Sequence, residues 1–142
     1  MNNFIKIKNI SKKYDKNKTI KVLNDISFNF ESGKTYSIVG PSGSGKSTML
    51  DLLSLIDTPS SGSIEINKNN INFKNKDEND LIRSNKIGII YQDKNLLPDF
   101  SAIENVYLPN LLISNDKIQS INLAKKIIRN MGLSSRLNHF SI

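Results

Sequence analysis

The sequence predicts an α/β fold, in which strands and helices alternate along one small domain of 142 residues. Residues 4–10 and 22–30 alternate apolar and polar side chains, as half-buried strands do. A glycine-rich segment, residues 40–48, separates a short apolar run from a stretch typical of a helix. Residues 117–131 repeat apolar side chains at helical spacing. The stripe consists of Ile118, Ile121, Ala124, Ile128 and Met131.

The elements that flank the glycine-rich segment follow from local patterns. Residues 31–33 predict a turn, and the apolar residues 35–39 predict a buried strand. Residues 49–56 predict a helix with an apolar face. That helix is expected to end at the proline, glycine and serines of residues 57–62.

Further along the chain the alternation of strands and helices continues. Residues 63–73 predict a short hairpin that turns at residues 68–70. Residues 77–85 predict a short polar helix, and residues 86–91 predict a second buried strand. Residues 101–112 predict a helix that is interrupted or ended near Pro109, because proline cannot continue the helical hydrogen bonds.

Composition excludes several classes of protein. The chain has no cysteine, which excludes a disulfide framework and a thiolate metal site. No apolar run is long enough to cross a bilayer, and the first residues lack the apolar centre of a signal peptide. A cytoplasmic location is therefore expected.

The net charge of +7 raises the question of a nucleic-acid partner. Of the 20 basic residues, 17 are lysines, whereas sites that recognise bases favour arginine, so no nucleic acid is expected. Seven lysines lie between Lys6 and Lys21. They indicate either a solvated edge strand and loop or a weak attraction to anionic lipid head groups.

Residues 40–48 match the pattern GxxxxGK[ST] of a phosphate-binding P-loop, between a predicted strand and a predicted helix. Its glycines allow the backbone to approach an anion, and the helix directs the positive end of its dipole at the same point. Lys46 supplies a positive charge to the phosphates, and the Ser47 hydroxyl is a ligand for Mg²⁺. The predicted nucleotide-binding residues of the loop are Gly40, Pro41, Ser42, Gly43, Ser44, Gly45, Lys46, Ser47 and Thr48.

With these residues, the chain resembles the ATP-binding subunits of ABC transporters over essentially its whole length. The resemblance implies a P-loop NTPase of the ABC ATPase fold, of which the chain would form the N-terminal part. Residues 1–91 would be the antiparallel β-subdomain and P-loop core. Residues 92–142 would be the Q-loop and the start of the helical subdomain.

Two further residues match positions of this family. Tyr14 stands where the family has an aromatic residue that stacks on adenine, although alone it could be an ordinary surface or core tyrosine. Gln92 matches the Q-loop glutamine, which implies contact with Mg²⁺ and the attacking water. A polar residue at a strand end is the alternative for Gln92. The implied cofactors are ATP and Mg²⁺.

Residues 92–109 are similar to one branch of the family, the Lol-type lipoprotein-releasing ATPases with their macrolide-export and cell-division relatives. Residues 132–139 are similar to the Lol-type stretch before the signature motif. The apolar Leu96, Leu97 and Phe100 suggest a docking surface for the membrane subunits, or else a cap over the core. The branch acts at the cytoplasmic face of the inner membrane.

The sequence also departs from the family pattern. It contains no Ser-Gly-Gly signature, no Walker B segment and no switch histidine, and His139 lies before the expected signature. In the family, two subunits enclose each ATP between the P-loop of one and the signature of the other. We therefore expect an incomplete chain, marginal in isolation and without hydrolysis on its own.

The predicted function is that of an ATP-binding subunit of an ABC transporter, which powers a membrane partner in lipoprotein release. The alternatives within the family are macrolide export and cell division. A non-catalytic module that binds ATP is a further alternative. An unrelated P-loop protein, such as a small kinase or a nucleic-acid motor, is disfavoured by residues 92–109.

Overall fold

A computed structural model describes residues 3–15, 19–92 and 95–140. The chain divides into two compact units, residues 1–89 and residues 90–142, each with its own internal packing. Within the described ranges, no helix combines the length and the apolar character that a membrane crossing needs.

The first unit is built on a four-stranded antiparallel sheet with the strand order β2-β1-β3-β4. The strands are β1 (Asn3–Asp15), β2 (Thr19–Glu31), β3 (Ser61–Ile66) and β4 (Asn69–Asn70). Two helices accompany them, α1 (Lys46–Leu53) and α2 (Lys76–Lys86). Helix α1 packs its apolar face on the sheet, so that Leu52 and the β-sheet residues Ile10 and Ile64 are fully buried in one core.

Strand β1 contains a bulge that the alternation of its side chains does not reveal. Ile7 and Ile10 are three positions apart, yet both are buried in the core. The register shifts between them, and Asn9 adopts a left-handed backbone with φ of 50°. The Asn9 amide donates to Asp25 Oδ1 at 2.7 Å, and its backbone N–H donates to Ser27 Oγ at 2.8 Å. These bonds hold the extra residue outside the ladder, as in other β-bulges.

The hairpin of β3 and β4 turns one residue earlier than predicted. Asn67 and Lys68 both have positive φ, at 50° and 68°, which is the geometry of a two-residue type I′ turn. Ile71, expected within the second strand, follows β4 and donates its N–H to the Ile64 carbonyl at 2.9 Å. It remains part of the core.

The prediction of buried strands at residues 35–39 and 86–91 is wrong. Residues 34–40 and 87–91 have no regular structure, and Val39 and Ile90 are 85% and 100% exposed. A strand exists only when a neighbour accepts and donates its backbone hydrogen bonds. No strand in the described ranges pairs with either segment.

The second unit contains α3 (Ala102–Ser114), α4 (Lys117–Asn130) and a 3₁₀ turn at Ser134–Arg136. Helix α3 begins with a capping box, in which Glu104 accepts from the Ser101 backbone N–H at 2.8 Å. The expected break at Pro109 is wrong, since α3 continues through it to Ser114. One proline removes one backbone donor, and the capped, apolar helix continues despite that loss.

The apolar stripe predicted on α4 is confirmed at Ala124 and Ile128, which are buried. It is wrong at Ile118 and Met131, which are exposed. The third buried position is Ser120, whose hydroxyl lies 2.9 Å from Asn110 Oδ1. Because that polar contact supplies a partner, a serine occupies an interior position of the helix pair.

Candidate functional site

The glycine-rich loop leads directly into α1, which begins at Lys46 inside the sequence motif. Gly45 precedes the helix in a left-handed conformation, with φ of 90° and ψ of 10°. A Cβ at Gly45 would lie 2.9 Å from Leu23 Cδ2 and 3.1 Å from the Val22 carbonyl oxygen. Residue 45 must therefore be a glycine for the loop to lie against β2.

The positive groups of the loop converge at the start of α1. The Lys46 ammonium donates to the Gly40 carbonyl at 3.0 Å and to the Pro41 carbonyl at 2.7 Å, so its charge lies across the loop. The first backbone N–H groups of a helix have no partner within it. The first backbone N–H groups of α1, together with the helix dipole, add to the positive potential at the start of the helix. The arrangement suits a phosphate group.

Ser47 and Thr48 follow Lys46 on the first turn of α1, and Ser47 is exposed. In the described part of the chain, no group of three or more His, Cys, Asp or Glu could enclose a metal ion. Mg²⁺ bound to a nucleotide needs no such cage, because it keeps waters and takes phosphate oxygens with one or two protein oxygens. The Ser47 hydroxyl fits that requirement.

Tyr14 lies near the end of β1, opposite Ile20 of β2, and is 40% exposed. Its hydroxyl donates to Asp57 Oδ2 at 2.8 Å, and Asp57 lies four positions beyond the end of α1 at Leu53. The Lys12 ammonium donates to Asp57 Oδ1 and to the Thr58 carbonyl, both at 2.6 Å. The same ammonium lies 4.8 Å from the centroid of the Tyr14 ring.

The hydrogen bonds among Lys12, Tyr14 and Asp57 shift the pKa values of the Tyr14 hydroxyl and the Asp57 carboxyl. The pKa of Tyr14 is raised, chiefly because its hydroxyl donates a hydrogen bond to Asp57 and then because of desolvation, while the Thr48 side chain acts in the opposite direction. Partial burial by itself would raise the pKa of Asp57. Hydrogen bonds from Lys12, Tyr14 and the Thr58 N–H outweigh burial and lower the pKa.

An apolar cavity of about 460 Å³ lies between the sheet, α1 and residues 36–41. Phe28, Phe30 and Tyr36 form part of its wall, with ring centroids 4.8 to 5.6 Å apart in edge-to-face contacts. Lys46 is its charged lining residue. A triphosphate needs many donors, so we assign the phosphate position to the start of α1 rather than to this cavity.

Gln92 belongs to the second unit, where it is exposed at a bend. Leu96, Leu97 and Phe100, the residues expected to dock a partner, are also exposed. Asn105 of α3 holds their loop: its amide donates to the Leu97 and Phe100 carbonyls at 3.1 and 3.0 Å. Its Oδ1 accepts from the Leu97 N–H at 2.8 Å. The loop therefore has a defined shape in spite of its exposed apolar side chains.

The structure thus brings together Tyr14 and residues 40–48 within the first unit, through Asp57 and α1. It places Gln92 in the second unit. Sequence reasoning missed Lys12, Asp57 and Asn105. Lys12 stands two positions before Tyr14 on the same strand, which is a weak signal for a shared face. No local pattern links Tyr14 to Asp57, 43 positions away.

The chain is similar to known proteins over most of its length. The ABC transporter family matches residues 23–141. The lipoprotein-releasing system ATP-binding protein LolD of Rickettsia bellii is 41% identical over 139 residues, which cover 97% of this chain and 61% of that protein. LolD of Wigglesworthia glossinidia brevipalpis is 42% identical and covers 98% of this chain and 62% of that protein. The chain therefore spans about three-fifths of the length of these relatives.

Solved structures show the same fold. A dimeric post-hydrolysis state of the ATP-binding cassette MJ0796, bound to ADP and Pi, superposes with a TM-score of 0.85 at 35% identity. The match covers 96% of this chain and 61% of that one. A dimeric structure of MJ0796, described as a bacterial ABC transporter cassette, has a TM-score of 0.84 at 36% identity. Because the family match, the relatives and the fold agree over nearly the whole chain, this chain belongs to the ABC transporter family.

Proposed function

We propose that this chain binds Mg-ATP as part of an ATP-binding subunit that powers a membrane partner in lipoprotein release. The observation that carries the proposal is the loop of residues 40–48, where the Lys46 ammonium, the start of α1 and the glycine backbone share one position. The names of the relatives support lipoprotein release. Work at the cytoplasmic face of the inner membrane is part of the proposal, as the resemblance to the Lol-type branch implies.

In this proposal the phosphates bind to residues 40–48, and the adenine stacks on the Tyr14 ring. The Ser47 hydroxyl would be a ligand of Mg²⁺, which when bound would neutralise part of the phosphate charge. Gln92 would contribute a second oxygen ligand and orient the attacking water.

The exposed loop residues Leu96, Leu97 and Phe100 are proposed to contact the membrane subunits. Their loop is held by Asn105, which supports a surface of fixed shape rather than a passive cover. A second ATPase subunit is the other proposed partner, supported by the dimeric MJ0796 cassettes. Macrolide export and cell division remain the alternatives for the transported substrate or task.

Calorimetric titration with Mg-ATP tests the phosphate site. The Lys46→Ala variant should bind ATP about 10- to 150-fold more weakly, because it loses hydrogen bonds from a charged donor to the phosphates. Lys34→Ala is the matched control, since Lys34 is an exposed lysine of the same unit outside the motif. Unchanged affinity in Lys46→Ala, or an equal loss in both variants, would contradict the proposal.

A further inference from the structure

We infer that Asp57 and Lys12 are positioning residues, which hold the Tyr14 ring at a set place relative to the phosphate-binding loop. The inference rests on the proposed function, because it concerns the base end of the same nucleotide site. It goes beyond that function by assigning a role to two side chains that touch neither the phosphates nor the metal.

The hydroxyl of Tyr14 provides the first step of the argument. It lies 2.8 Å from Asp57 Oδ2, and this bond restricts rotation of an otherwise exposed ring. A ring that is already oriented loses less conformational entropy when a base stacks on it. The bond therefore contributes to the affinity for the base without any contact between Asp57 and the nucleotide.

The position of Asp57 provides the second step. Its backbone N–H donates to the Asp51 carbonyl at 3.2 Å, and the N–H of Ile56 donates to the same carbonyl at 2.9 Å. These bonds fasten Asp57 to the end of α1, the helix whose first residue is Lys46. One helix thus carries the phosphate site at its start and the anchor of the aromatic ring beyond its end.

Lys12 provides the third step. It is only 8% exposed, although lysine is rarely buried unless it is paired. Its ammonium bonds to Asp57 Oδ1 and to the Thr58 carbonyl, and it faces the Tyr14 ring at 4.8 Å. Lys12 therefore fixes the carboxylate from one side, so that the other carboxylate oxygen is directed at the tyrosine hydroxyl.

The test compares ATP with inorganic triphosphate, each titrated with Mg²⁺ into the full chain. Tyr14→Phe keeps the ring and removes the hydroxyl. It should weaken ATP binding about 2- to 12-fold, the range for the conformational entropy of ordering one side chain on binding. Asp57→Asn should weaken ATP binding by a similar factor. The affinity for triphosphate should be unchanged in both variants, because the phosphate site is untouched.

A double-mutant cycle separates positioning from a general loss of structure. If Tyr14 and Asp57 act through one bond, the double variant should weaken ATP binding no more than the larger single effect. Asp80→Asn is the matched control, since it removes an exposed ion pair with Arg83 in the same unit. It should leave both affinities unchanged. A parallel loss of ATP and triphosphate affinity in Asp57→Asn would indicate a merely structural role and overturn the inference.

Different results would contradict the proposed stacking of the base on Tyr14 and the proposed positioning role of Asp57 and Lys12. If the wild-type chain binds triphosphate as tightly as ATP, the base does not contribute and the proposed stacking on Tyr14 is wrong. If ATP binds more tightly than triphosphate in the wild type and Tyr14→Ala removes the difference, the stacking stands. Should Tyr14→Phe and Asp57→Asn then bind ATP as the wild type does, only the positioning role is overturned.

Discussion

Gly62 is the glycine whose surroundings leave the least space for a side chain. It lies in β3 opposite the bulge of β1, with φ of +92°. An added Cβ would meet the Asn9 carbonyl oxygen at 2.4 Å and the Lys8 carbonyl oxygen at 2.5 Å. Both neighbours are backbone atoms, which cannot rotate away. We predict that Gly62→Ala strongly destabilises the first unit.

The magnitude follows from two contributions. A left-handed backbone costs an alanine about 1–2 kcal/mol. Forcing a methyl group into packed backbone adds about 1–3 kcal/mol, as in other overpacked sites. The free energy of unfolding should therefore fall by about 2–5 kcal/mol, before a stabilisation of about 0.4–1 kcal/mol that alanine produces by restricting the unfolded chain.

Gly33→Ala is the matched control. Gly33 also has a positive φ, at +75°, but a Cβ there would have no atom within 4 Å. The backbone strain and the unfolded-state effect are common to both variants, so their difference isolates the steric contact. Urea unfolding, followed by circular dichroism, should show Gly62→Ala to be less stable than Gly33→Ala by about 1–3 kcal/mol. Equal stability of the two variants would refute the reasoning.

Two other predictions concern the loop of the second unit and the acid stability of the first. Asn105→Ala should accelerate hydrogen exchange at the Leu97 backbone N–H by about 10-fold, because that N–H loses its acceptor. Asn85→Ala is the control, since the Asn85 side chain donates to the Leu81 carbonyl of its own helix. It should leave exchange at the Leu97 N–H unchanged. Hydrogen bonds hold the folded pKa of Asp57 below the ordinary value of an aspartate, so its stabilising effect is present above pH ~4 and is lost as the pH falls through the folded pKa. In urea unfolding between pH 3 and 7, the stability gap between the wild type and Asp57→Asn should be constant at neutral pH and should narrow at the acid end. A stability difference between the wild type and Asp57→Asn that widens below pH 4 would contradict the acid-stability prediction. Unchanged exchange at the Leu97 N–H in Asn105→Ala would contradict the loop prediction.

The P-loop is an element that local sequence is sufficient to predict. The start of α1 at Lys46 and the left-handed Gly45 depend on residues within a few positions of each other. For the same reason, the capping box of Ser101 and Glu104 follows from neighbours in the chain. The fold class, the family and the phosphate-binding loop could therefore be predicted without coordinates, although the roles of individual site residues stay predictions.

The two strands predicted at residues 35–39 and 86–91 show where local sequence fails. Their apolar, β-branched composition is typical of a buried strand, but a strand depends on hydrogen bonds to a neighbour. Among the described residues that neighbour is lacking, and both segments are extended or irregular. The composition of a segment can favour a strand, but the strand forms only when a distant segment pairs with it.

The sequence by itself determined the elements whose stabilising contacts are local, which are the phosphate-binding loop and the helix that follows it. The alternating side chains of residues 4–10 and 22–30 also predicted strands, although their pairing is a tertiary contact. Only the tertiary structure decided the bulge at Asn9, the requirement for glycine at Gly62 and the anchoring of Tyr14 by Asp57. These features join residues that lie far apart in the chain. Their contacts arise only when the sheet and α1 pack together, and no periodicity along the chain encodes them.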